Sequence, residues 1–93
     1  MTPRAGDLLA LARVLMTRAP GDRAALARAV VADARNAAAF VRRNGRPHRV
    51  LGDGSVMAAA LRHGPVPEPA LDNRDFAGAI VIAVRAICPD IDD

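Results

Sequence analysis

Residues 22–45, DRAALARAVVADARNAAAFVRRNG, decide the fold. Five apolar positions set the argument: at 100° per residue Leu26, Val30, Ala34, Ala37 and Val41 fall within about 80° of one another, an apolar stripe meant for a core. The spacing predicts the longest helix of the chain over 22–43, with Gly45 free to take the left-handed conformation of a residue just past a helix end. The opposite side carries Arg28, Arg35 and Arg42, seven apart and therefore aligned, with no carboxylate three or four residues from any of them within the helix. Such a row is about 21 Å long at 1.5 Å rise per residue, enough to follow a phosphate backbone or an acidic helix. The plainer reading is a solvated face.

Three shorter helices flank this one. The first is predicted over 4–18, with Thr2 as cap, Pro3 in the first turn and Leu8, Leu11, Ala12 and Leu15 as its stripe. Ala19-Pro20-Gly21 ends it and turns the chain back. A third helix is predicted over 55–63, capped by Ser55 or Asp53 and stopped by Gly64. The fourth is predicted over 73–88, with Asp72 as cap, Asp75 in its first turn and a hydrophobic staple between Leu71 and Phe76. Pro89 stops it ahead of an acidic tail, Asp90-Ile91-Asp92-Asp93. A Gly/Arg-rich loop, 44–54, and an extended connector, 64–71, stiffened by Pro65, Pro67 and Pro69, join the parts. The expected architecture is all-α, one small four-helix domain spanning 1–93.

Composition agrees with that class. Apolar residues make up 52% of the chain and aromatics 2%, so the core must be built from Leu, Val, Ile and many of the 21 alanines, a mix that favours helix over sheet. The expected core is Leu15, Leu26, Val30, Val41, Leu61, Phe76, Ile80 and Val84. The fourth helix is apolar almost all round. Either it threads the centre, or its Ala79, Ile82 and Ala86 face meets a second chain, as a homodimer or partner seam.

All 13 basic residues are Arg, a bias that phosphate or carboxylate clamps and G/C-rich codons would both produce. The net charge of +3 hides an asymmetry: residues 1–49 hold ten Arg against three Asp, and residues 50–93 hold three Arg against seven acids. The halves either neutralise each other or present a basic face to an anionic partner. The single Cys88 excludes an internal disulfide, and the broken apolar run Leu8–Met16 is neither a signal peptide nor a membrane span, so a cytoplasmic protein is expected.

Chemistry is concentrated in residues 42–55, where Arg42, Arg43, Arg46, His48 and Arg49 run into Gly52-Asp53-Gly54-Ser55 at a helix start. A helix N-terminus behind a Gly-rich turn can hold an anion, yet the lysine, the glycine spacing and the preceding strand of a phosphate-binding loop are missing. The plainer reading assigns the glycines to the turn and Ser55 to the cap. Metal binding would require His48, His63, Cys88 and Asp53 to converge, which no ligand spacing supports, so no metal or cofactor is expected. With so few aromatics, nucleic-acid binding would be electrostatic, to a duplex or a structured RNA backbone.

The runs Gly45-Arg46-Pro47-His48, Gly52-Asp53-Gly54-Ser55-Val56-Met57-Ala58-Ala59-Ala60 and Pro67-Glu68-Pro69-Ala70-Leu71-Asp72 resemble a family of short uncharacterised alphaproteobacterial proteins sharing G-R-x-H, G-x-G-S-x-M-A-A-A and P-x-L-x patterns. This chain departs from the pattern at Val50-Leu51, where an aromatic is expected. The resemblance implies a bacterial, cytoplasmic, mostly helical protein, and it carries over no catalytic or binding residue. Three functions are therefore open. The first expectation is a non-catalytic interaction or regulatory protein that meets a protein partner or itself. The second is a duplex or RNA backbone binder using the arginines of 28–49. The third is a small-anion or enzymatic site around His48, Asp53 and Ser55.

Overall fold

The computed structural model describes residues 2–64 and 66–91. It contains four α-helices, α1 (Ala5–Leu15), α2 (Arg23–Asn44), α3 (Val56–Leu61) and α4 (Arg74–Ile87), and no strand among the described residues. The all-α, four-helix architecture is the one the periodicity predicts. Pro65, Asp92 and Asp93, expected in the connector and the acidic tail, lie outside the described residues.

The helix ends move for local reasons. α1 begins after Arg4, not Thr2, because the Asp7 carboxylate accepts the Arg4 backbone N–H at 2.8 Å. It ends at Leu15 because the next three N–H groups, of Met16, Thr17 and Arg18, bond three residues back instead of four. The chain has tightened into a 3₁₀-like exit. A 3₁₀ turn, Pro20–Asp22, leads into α2, which closes as expected at Gly45 with φ 70°. Ser55 caps α3, its Oγ accepting the Ala58 N–H at 3.0 Å. The cap of α4 is Asn73, whose Oδ1 accepts the Phe76 N–H at 3.0 Å, and not Asp72. That shift of one residue leaves Leu71 two positions ahead of the cap and 70% exposed, so the expected staple with Phe76 does not form.

Side-chain contacts orient the helices. Arg23, at the start of α2, bridges the Arg18 carbonyl after α1 and the Asp75 carboxylate in the first turn of α4. The start of α2 therefore lies beside the end of α1 and the start of α4. α3 runs against α2, since Gly54 abuts Ala38 while Arg62 reaches back to Asp33.

The centre belongs to α1, not α4. Ala10, Leu11, Ala12, Val14 and Leu15 are all buried, facing several neighbours at once. Val30 and Ala34 of α2, Val56 and Ala59 of α3, and Phe76, Ala79 and Ala83 of α4 close around them. Of the expected core, Leu15, Val30 and Phe76 are fully buried, whereas Leu26, Val41, Ile80 and Val84 are half-buried. Leu61 is 50% exposed. The reason is that α3 is only six residues long and turns Val56, Ala59 and Ala60 inward, which points Leu61 out. Ala79 is also fully buried, so it cannot belong to an outward seam on α4; only Ile82 and Ala86 of that trio reach the surface. Small alanines on α4 let it lie close against the central helix.

Candidate functional site

Two places gather the chemically able residues, and they differ in how their polar groups are used. The first is the loop between α2 and α3. His48 and Gly52 exchange backbone hydrogen bonds, His48 N–H to the Gly52 carbonyl at 2.8 Å and Gly52 N–H to the His48 carbonyl at 3.1 Å. Inside that turn the His48 Nδ1 accepts the N–H groups of Val50 at 3.0 Å and Leu51 at 2.9 Å. Its ring stands edge-on to Phe40, 4.7 Å between centroids, and the Arg46 guanidinium lies 5.6 Å from the Phe40 ring centre. His48 is thus the internal scaffold of the loop.

Both glycines of the Gly52-Asp53-Gly54-Ser55 turn have positive φ, 92° and 97°. A Cβ on Gly54 would lie 2.8 Å from the Ala38 Cα of α2, and one on Gly52 would lie 2.9 Å from the Ala58 Cβ of α3. The glycines therefore serve close packing of the loop against two helices. Three of the N–H groups at the start of α3 already have partners. Asp7 takes the Met57 N–H at 2.8 Å, Ser55 Oγ takes that of Ala58, and the Ser55 carbonyl takes that of Ala59. The Asp53 Oδ1 accepts the Ser55 N–H at 2.9 Å, and this backbone bond, with help from the Ser55 side chain, holds the Asp53 carboxyl below the usual carboxylate range. Asp7 and Asp53 both stand at this helix start, and Gly52, Gly54 and Ser55 are used in the turn, its packing and the cap. Among the described residues no group of three or more His, Cys, Asp and Glu comes together as a metal site. Cys88 is exposed at the end of α4 rather than in the core.

The second place is the furrow between α2 and α4. The aligned row divides here: Arg28 and Arg35 overlook the furrow, while Arg42 does not line it. Two adjoining shallow hollows of about 250 and 230 Å³ lie along it. Ala24, Ile82 and Ala86 line one; Val31, Ala86 and Pro89 line the other; Arg28 and Arg85 border both. Among the described residues, Arg28, Arg35, Arg42, Arg43 and Arg49 are exposed and form no ion pair with the protein's own carboxylates. Three carboxylates are engaged elsewhere, Glu68 with Arg13, Asp75 with Arg23 and Asp33 with Arg62. The basic and acidic halves thus neutralise each other in part, and these five arginines are left exposed.

The sequence reading misses three residues. Arg85 reaches the furrow only because α4 lies beside α2, which no periodicity within one helix shows. Asp7 and Arg23 join distant segments, and their signal in sequence was limited to an acid in a first turn and a base at a helix start. No helix among the described residues is long and apolar enough to cross a membrane.

No curated protein matches the chain, and no solved structure matches it. The chain belongs to the family described as a domain of unknown function, DUF7742, which it matches over residues 3–87, a span that includes all four helices.

Proposed function

We propose that this is a small non-catalytic binding protein that docks an acidic segment of a protein partner on the α2/α4 face. The observation that carries the reading is the coincidence of Arg28 and Arg35 with an apolar floor, Val31, Ile82 and Ala86, in one furrow. Charge alone would suit any polyanion, but an apolar floor between the charges rewards a ligand with hydrophobic side chains, which a phosphate backbone does not offer. A regulatory role, assembly with a second copy through Ile82 and Ala86, and residence in the cytoplasm of an alphaproteobacterium belong to the same reading. The last is supported by the G-R-x-H and G-x-G-S-x-M-A-A-A patterns.

The second reading, an electrostatic duplex or RNA backbone binder, is favoured by the exposed Arg42, Arg43 and Arg49, which extend the basic surface beyond the furrow. Selection from a random peptide display library, with duplex DNA as the competing ligand, separates the two. The protein-partner reading predicts enrichment of peptides that mix Asp or Glu with large apolar residues, and loss of their binding in the Arg28→Glu/Arg35→Glu variant. That variant stays folded because both side chains are exposed. Preferential binding of duplex, with log affinity falling against log salt at about 0.9 per phosphate contacted, would favour the second reading.

A further inference from the structure

We infer that the segment received by the α2/α4 furrow is an amphipathic helix with acidic residues seven apart and a large apolar residue between them. The inference rests on the protein-partner reading and names the form of the partner.

The furrow has a length and a direction. Residues within 24–35 of α2 and within 82–89, at the end of α4 and just past it, line it, and the two helices are tied at their starts by the bidentate Arg23–Asp75 pair at 2.7 and 3.2 Å. From Ala24 to Arg35 the furrow follows α2 for eleven residues, about 16 Å or three helical turns. Along its rim Arg28 and Arg35 stand about 10.5 Å apart, since both lie on one side of α2. That interval is the i, i+7 repeat of a second helix lying along the first. An extended segment offers same-side residues at about 6.7 Å and then about 13 Å, so it meets one arginine well and misses the other.

The floor makes the same selection. Ala24, Ile82 and Ala86 line one hollow and Val31, Ala86 and Pro89 the adjoining one, so the floor beside Arg28 and Arg35 is apolar and suits a branched or long apolar side chain. On a partner helix that side chain sits at i+3 or i+4, midway between two carboxylates at i and i+7. Asp33, the one acid inside α2, is about 140–160° around the helix from Arg28 and Arg35 and is held away by Arg62 at 3.1 Å. No carboxylate of α2 therefore competes for the site.

The test uses three synthetic peptides of equal length and net charge, each of about 14 residues or four helical turns, measured by fluorescence anisotropy against the full chain. One is side-chain-stapled as a helix with Glu at i and i+7 and Leu at i+3. The second is the same stapled helix with the Glu residues five apart. The third carries central prolines and is extended. The expected result is that the first binds at least about tenfold more tightly than the other two. Arg28→Glu and Arg35→Glu should each remove that preference, and Ile82→Ser, which keeps the charges, should weaken the first peptide alone; circular dichroism confirms that each variant is folded. Equal, salt-sensitive binding of all three peptides, abolished by the charge reversals, would overturn the helical register and leave the acidic-partner reading standing. Absence of binding by any peptide, or binding indifferent to the charge reversals, would overturn both.

Discussion

At the scale of single residues, the chain's most constrained position is a glycine, and its constraint is packing. Gly54 combines a φ of 97° with a backbone approach so close that any Cβ would overlap the Ala38 Cα at 2.8 Å. Gly54→Ala should cost about 2–3 kcal/mol in urea or thermal unfolding, because strain at positive φ adds to a clash with helix backbone. Gly45 also has positive φ but faces open space, so Gly45→Ala should cost only about 1 kcal/mol. Arg23 offers a different test. Its hydrogen bonds to Asp75 hold that carboxyl below its ordinary value of 3.8. A carboxyl whose value is depressed by folding stabilises the protein above the unfolded value, and that contribution is lost as pH falls through the folded one. Thermal melts from pH 7 down should therefore show a loss below about pH 4 that is reduced in Arg23→Met, a variant already less stable at pH 7. If the two acid profiles run parallel, the pair contributes nothing specific.

At the scale of elements, the account turns on how short helices are held. α3, at six residues, is too short to persist on its own propensity, so its place depends on caps and contacts from elsewhere. Asp7 supplies both. One oxygen takes the Arg4 N–H at the start of α1 and the other the Met57 N–H in the first turn of α3, a bond spanning 50 residues. Asp7→Ala should destabilise the fold by about 2 kcal/mol, near the sum of two modest caps, and hydrogen exchange should show protection lost in α3 as well as in α1. Protection lost in α1 alone would mean that the long-range bond is not formed in solution. Such links mark the limit of what the sequence makes legible. The stripe of α2, its Gly45 exit, the Ser55 cap and the stop of α4 before Pro89 can all be read because each depends on neighbours along the chain. The central place of α1, the buried Ala79 and the exposed Leu61 cannot, because they depend on which faces three other helices present. Asn73 and Asp72 are adjacent and chemically equivalent as caps, so only the path of the connector chooses between them.

At the scale of the whole molecule, charge and packing together determine what surface remains. The radius of gyration, 12.9 Å, is close to the roughly 12 Å expected of a compact chain of this length, so nearly every polar group is either at the surface or used in a joint. The loop 44–54, the richest in chemistry when read along the chain, uses its acceptors locally: the His48, Asp53 and Ser55 side chains accept backbone N–H groups of the turn and of the start of α3, and both glycines pack it. The arginine row on α2 keeps its charge exposed, and α4 beside it gives part of that row an apolar floor. The heptad spacing of Arg28 and Arg35 and the Ile82 and Ala86 face of α4 are thus each visible in the sequence, whereas their meeting in one furrow, bordered by Arg85, exists only once the helices have packed. The central claim is that this furrow, and not the loop, is where the protein meets a partner. Titrating the ¹⁵N-labelled chain with the stapled acidic peptide and following backbone amide shifts tests it most directly. The account predicts saturable shifts gathered at Ala24, Arg28, Val31, Ile82 and Ala86, with the amides of residues 46–55 unmoved; shifts gathered at His48 to Ser55 with a silent furrow would contradict it.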